Sequence, residues 1–309
     1  MERDFTTADL SEYLKERRNW GRWGSDDQLG AGNMITPEVR LSAGALIRTG
    51  LTLSLSRPLP TESGPANPHP FQHYVKELPG SEGGVVDFYG AFYHGVSYTH
   101  IDALNHLWGP DGMWNGREPS QEVGFNGVSW ADVDTWSNGI LTRGVLLDVP
   151  LYRGAPYVTM ESPVSDSELA AIAARQGVET RPGDALIVYS GRAAWDVENP
   201  PWGSEHVKTD GGVVVKRPGL HASCIRFIRD SDASVLVWDM MDHKPNEFGV
   251  RWTVHAVLSQ YGVALVDNAL LEPLAQACAE AERYEFALVL APLRVIGGTG
   301  SPINPIAIF

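Results

Sequence analysis

The sequence predicts an α/β domain, a mixed sheet with flanking helices, running over residues 1–309 as one unit with 1–35 as an N-terminal arm. Three observations carry this expectation. Short apolar runs of strand length alternate with stretches of helix length through the second half of the chain, the pattern of strands joined by helices. No internal repeat and no shift of composition marks a boundary. A chain of 309 residues can bury roughly three quarters of the surface it exposes when unfolded, so one large core needs no covalent staple. The two cysteines, Cys224 and Cys278, form no C-x-x-C pair, which argues against a disulfide framework, a structural zinc site or a redox dithiol.

In chain order, residues 9–17 read as a short helix, followed by the aromatic, turn-rich run Asn19-Trp-Gly-Arg-Trp-Gly-Ser-Asp-Asp-Gln28. Thr36 and Pro37 suit the N-cap and first position of a helix reaching about residue 48, with Gly50 as its stop. Residues 51–56 alternate like a strand. Residues 57–84 carry Pro, Gly, Ser and His without periodicity and read as a long surface loop. From Val85 the composition turns aromatic and β-like. Further strands are expected at 144–149, 185–190, 234–238, 263–266 and 286–290, and helices at 165–176, 221–230, 252–261 and 270–282. The tail Gly297-Gly-Thr-Gly-Ser-Pro-Ile-Asn-Pro305 can be neither a long helix nor a central strand.

The formal net charge of −14 repels polyanions, so nucleic acid and anionic membrane are poor partners. No apolar run approaches the roughly 18–20 residues that a membrane span needs. The opening Met-Glu-Arg-Asp-Phe-Thr-Thr lacks the basic and apolar parts of a signal peptide. The expectation is a soluble, cytoplasmic protein acting on a small molecule.

The chemistry concentrates in Phe92-Tyr-His-Gly-Val-Ser-Tyr-Thr-His-Ile-Asp-Ala-Leu-Asn-His106. Histidine and carboxylate are the usual ligands of a catalytic zinc or manganese ion. On an extended strand His100 and Asp102 point to one face, so both can reach a single ion. Six residues of straight strand span about 20 Å, so His106 joins them only if the chain turns after Asp102. His94 likewise needs a bend over 95–98, which Gly95 makes easier.

This run resembles the His-x-Gly-Thr-His-x-Asp-x-x-x-His signature of the cyclase family, which includes bacterial kynurenine formamidases and isatin hydrolase. Thr99, His100, Asp102 and His106 match. The first histidine does not: Val96 stands there, and the nearest substitute is His94, two residues earlier. The family also places a histidine twelve residues before a glutamate ligand, and His255 precedes Asp267 by that spacing. Agreement extends to Gly21-Arg-Trp-Gly, Pro218-Gly-Leu-His221, Leu265-Val-Asp-Asn268 and Ala291-Pro-Leu-Arg-Val-Ile-Gly-Gly-Thr-Gly-Ser-Pro. The resemblance implies a swivelling β/β/α fold, a homodimer or higher homo-oligomer, and a divalent metal held by His100, Asp102, His255 and Asp267, with His94 as a further ligand.

The expected activity is metal-dependent hydrolysis of an amide, formamide or lactone bond. His106 would carry the proton, Asp102 would help to orient the water, and Trp23, Tyr93, Tyr98 and Trp108 would contact a flat, aromatic or cyclic substrate. Two alternatives stay open: a metal-dependent dehydratase or ring-closing enzyme, and a non-catalytic small-molecule-binding member that has lost the metal. Other catalytic classes find no support. No serine has glycines two residues to either side, and Gly298-Thr-Gly-Ser-Pro lacks the lysine of a phosphate loop. Asp239, Asp242 and His243 form a further cluster with no assigned part.

Overall fold

Four apolar runs set the frame. In the computed structural model, which describes residues 5–209 and 212–309, they become the parallel middle of a nine-stranded sheet. The first four residues of the segment read above for a signal peptide lie outside the described residues. The strands are β1 (Thr52–Ser54), β2 (His100–Asp102), β3 (Ile140–Asp148), β4 (Ala185–Tyr189), β5 (Val235–Trp238), β6 (Ala264–Asp267), β7 (Glu285–Leu290), β8 (Gly300–Pro302) and β9 (Ile306–Ile308). Their lateral order is β1-β9-β7-β3-β4-β5-β6-β2-β8. Neighbours from β3 to β6 run parallel, and every other pairing is antiparallel. Runs such as Val235-Leu-Val-Trp238 and Ala185-Leu-Ile-Val188 are buried along their length, as parallel strands covered on both faces must be.

Helices make the crossovers and supply the cover. They include α1 (Thr7–Lys15), α2 (Pro37–Gly44), α3 (Asp166–Gln176), α4 (Cys224–Asp230), α5 (Val257–Tyr261) and α6 (Glu272–Ala281). In α3 the Ser165 hydroxyl accepts the Glu168 N–H, Gly177 closes the C-terminus in the left-handed region, and Leu169, Ile172 and Ala173 share the buried face, the spacing of an amphipathic helix. Among the described residues, no helix is long and apolar enough to cross a membrane.

The expected α/β class and mixed sheet are present, with differences that have physical causes. Residues 72–77 are not loop: Gln72–Glu77 pairs antiparallel with Val85–Gly90. All but Gly90 of this hairpin is exposed, so it has no buried face to impose an alternating pattern. The helix expected to reach residue 48 ends at Gly44, where the backbone freedom of glycine disfavours continuation. The helix expected over 252–261 is α-helical only in α5, preceded by a 3₁₀ turn at Val254–Ala256. There the Asp242 carboxylate takes the Thr253 hydroxyl at 2.7 Å and the His255 N–H at 3.2 Å, so a side chain rather than a helical ladder fixes the backbone. In the tail, β8 is an edge strand, where Pro302 needs no ladder N–H.

Leu236, fully buried at the middle of β5, tests the frame. Leu236→Ala should cost about 2–5 kcal/mol, read as a lower denaturant midpoint at unchanged slope. Val86→Ala on the exposed hairpin should stay within about 0.5 kcal/mol of the parent.

Candidate metal centre

Strand periodicity and ladder register build the centre. On β2, residues 100 and 102 face one way, and the antiparallel register with β6 sets Asp267 directly opposite His100. Opposed residues of a ladder have their Cβ atoms within about 5.5 Å, so three donors share one face. His100 Nε2 lies 3.3 Å from Asp102 Oδ1 and 3.9 Å from Asp267 Oδ2. All three side chains are buried.

Two turns add the flanking histidines. After Asp102 the chain turns, with the His106 N–H donating to the Ala103 carbonyl at 3.0 Å, and His106 Nε2 comes back to 3.9 Å from Asp102 Oδ2. Before β2, residues 94–97 form a turn with Gly95 at φ 146, which brings His94 Nδ1 to 2.8 Å from Asp102 Oδ1. The His94 and His106 rings stack with centroids 3.6 Å apart, 5° from parallel. Gly300 makes room for this: a Cβ there would lie 2.4 Å from the Ile101 carbonyl oxygen and 3.0 Å from His94 Cε1.

The donor atoms fit a cation. His94 Nδ1 and Asp102 Oδ1 are both buried and lie 2.8 Å apart. His94 Nε2 is engaged by the Thr299 hydroxyl at 3.0 Å. His100 Nδ1 lies 2.9 Å from the Tyr98 carbonyl, a bond that makes it a protonated nitrogen and turns Nε2 to Asp102 and Asp267; burial opposes a charge on this ring, but the two carboxylates raise its pKa above the usual range. Ligand atoms of His94, Asp102 and His106 lie within 4.8 Å of one another, and so do those of His100, Asp102 and Asp267. Atoms about 2 Å from a common ion lie up to about 4 Å apart, so small shifts of these side chains would gather them on one ion, and imidazole with carboxylate is a set that zinc or manganese accepts. Asp102 belongs to both groups.

Charge is distributed accordingly. Burial opposes ionisation of Asp102, but His106, His100 and His94 hold its carboxyl well below the usual range. For His106 burial outweighs the attraction of Asp102 and pushes the imidazole down to about 4, so near neutrality it is an uncharged base. For His255 the balance reverses. Burial is overcome by Asp242 and Asp267, which push it up to about 10.

The structure thus gathers His94, His100, Asp102, His106 and Asp267, while His255 stands one contact further out. Its Nδ1 bonds the Asp242 carboxylate and its Nε2 lies 3.2 Å from Asp267 Oδ2, so both ring nitrogens are turned to carboxylates. Asp267 is also held by the Trp238 indole N–H. Among the expected substrate contacts, Tyr93 packs on His94 and His100. Trp108 lines a cavity of about 780 Å³ that opens on His106, and Tyr98 lines a smaller one of about 290 Å³ beside His94. Trp23 lines neither and packs against Trp114 instead. Sequence reasoning gave no part to Asp242, Thr299 or Asn268. Asp242 stood out only as a member of an acidic cluster, and Thr299 and Asn268 only inside motifs.

Residues 53–244 match the family described as "Putative cyclase". No curated protein matches the sequence. Among solved structures, a crystal structure of a novel cyclase is 27% identical with a TM-score of 0.84, over 96% of this chain and 99% of that one. Isatin hydrolase A from Ralstonia solanacearum is similar at 15% identity and TM-score 0.57, over 88% and 97% of the two chains. An isatin hydrolase bound to the product analogue thioisatinate is similar at 13% identity and TM-score 0.57, over 88% and 98%. At such identities the last two show a shared fold.

If these donors hold an ion, the purified protein should take up zinc or manganese. His100→Ala and Asp102→Ala should each weaken that uptake by more than about 100-fold, beyond the usual effect of losing a supporting residue. His73→Ala, in the exposed hairpin, should leave it unchanged. Metal analysis after dialysis reads the result, and full metal retention in both centre variants would sink the assignment.

Proposed function

The chain belongs to the cyclase family, and from that premise we propose that it is a metal-dependent hydrolase cleaving an amide, formamide or lactone bond of a small, ring-bearing substrate. The observation that carries this reading is the clustering of imidazole and carboxylate ligand atoms around Asp102 beside an uncharged His106 that borders a cavity. The isatin hydrolases that share the fold are named for hydrolysis, which supports the same reaction class.

In this reading His94, His100, Asp102 and Asp267 hold the ion, with His255 supporting Asp267 rather than coordinating. A bound zinc or manganese ion would polarise the carbonyl oxygen and acidify a water. The remaining work falls to side chains. His106 takes the proton of the attacking water and returns it to the departing nitrogen or oxygen. Asp102, ionised and 3.9 Å from His106, orients that imidazole and stabilises it while it is charged. The His255–Asp267 contact fixes the Asp267 carboxylate. Substrate rings rest in the 780 Å³ cavity against Leu10, Leu14, Leu107, Trp108, Val250 and Trp252, a lining that excludes water from the reacting bond. A cavity of this size suits a single small molecule.

His106→Ala should keep the metal and lower kcat by about 10²–10⁴-fold on an active member of a panel of aryl formamides, cyclic amides and aryl lactones. Product mass should show the gain of one water. A product that has lost water instead would establish the dehydratase reading, and unchanged turnover in the variant would remove His106 from the chemistry.

A further inference from the structure

Arg192 opens the short helix Arg192–Glu198 and is buried, 5% exposed, yet it touches none of the donor atoms described above. Its guanidinium lies over the Trp202 ring with Nε 3.6 Å from Asp196 Oδ2, and its two terminal nitrogens donate to Asn268 Oδ1 and to the Val96 carbonyl, each at 2.6 Å. Asn268 continues the chain of contacts. Its amide donates to the Gly95 and Tyr98 carbonyls, each at 2.8 Å, and its own carbonyl accepts the Thr99 hydroxyl at 2.9 Å and Arg57 Nε at 3.2 Å. Fully buried and at φ 58, Asn268 occupies a left-handed conformation that asparagine tolerates better than most residues.

Three carbonyls of the turn before β2, those of residues 95, 96 and 98, therefore converge on one guanidinium and one amide. Resting on the metal-binding reading above, we propose that Arg192 and Asn268 are positioning residues for the ion: they impose the turn that seats His94 and fix which nitrogen of His100 is left free. Two consequences of the contacts carry this. First, the Tyr98 carbonyl that Asn268 anchors is the one that faces His100 Nδ1, so Asn268 holds the acceptor that sets the tautomer and ring angle of His100. Second, Arg192 takes the Val96 carbonyl, and the Val96 side chain is packed on Gly203, where an added Cβ would lie 2.9 Å from Val96 Cγ1. Position 96 is thereby committed to the scaffold, and the same turn swings His94 onto Asp102. A lysine cannot replace the arginine, because an ammonium lacks the planar fork that reaches two acceptors on separate segments.

The test uses the full-length metal-free protein with Zn(II) and Co(II) as probes, affinity being read by chelator competition and the ligand field by the visible Co(II) bands. Asn268→Ser and Arg192→Lys should each weaken affinity by about 10–100-fold, as residues supporting metal ligands do, and should shift the Co(II) bands. Arg143→Lys is the control. It disturbs an equally buried pair with Asp184 on β3, three strands from β6, and should lower stability while leaving affinity within about twofold, because a remote site does not couple to the centre. If Arg192→Lys does not fold, Asn268→Ser decides alone. Folded variants that bind like the parent, with unchanged Co(II) bands, overturn the proposal. A parent protein that takes up neither ion overturns the metal reading itself and this proposal with it.

Discussion

A carboxylate buried without an arginine or lysine partner is the constraint on which the centre depends. Asp102 is 1% exposed, and among the described residues its ion-pair partners are His94, His100 and His106. An isolated buried charge would cost far more than a folded domain can spare. Imidazoles compensate only partly, because each can act as a lone-pair donor as readily as it can carry a proton. His94 Nδ1 approaches Asp102 Oδ1 to 2.8 Å, and in the proposed reading a cation completes the neutralisation. The ladder, the two turns and the glycine at 300 each deliver one element of this arrangement.

Much of that was legible because it follows from two periodicities. The period of two along a strand put His100 and Asp102 on one face before any coordinates were needed. The requirement that the chain turn on both sides of β2 followed from strand rise alone, and both turns are there. The pairing of His255 with Asp267 was legible through resemblance rather than periodicity, since twelve residues containing a short helix and a turn fix no distance. The structure brings the two together, but with His255 clamped between carboxylates. The parallel core was equally plain. Continuous apolar runs can be buried on both faces only in the middle of such a sheet.

What stayed hidden is the layer that sets angles. Asp242 reaches His255 across thirteen residues of irregular backbone, and its capture of Thr253 and the His255 N–H converts an expected helix into a 3₁₀ turn. No propensity anticipates a helix start decided by a carboxylate from another segment. The same holds for Trp23. Its place in a tryptophan-rich run suggested a substrate wall, and the structure packs it, half-buried, against Trp114. The hairpin at 72–90 escaped for the opposite reason, since strands with no buried side carry no binary pattern to detect.

In the proposed metal reading, the departure at Val96 is a shifted ligand. Moving a histidine two residues along a strand keeps its face but displaces it by about 7 Å, so substitution within a regular strand would fail. Here the preceding segment is not a strand. Gly95 at φ 146 folds the chain back, and Gly300 removes the side chain that would stand between the edge strand and the returning ring. The displaced position is then free to serve the scaffold, with its carbonyl on Arg192 and its side chain on Gly203. In that reading, ligand identity is a property of the turn as a whole, and it can migrate along the sequence wherever glycine and buried backbone acceptors let the turn be redrawn.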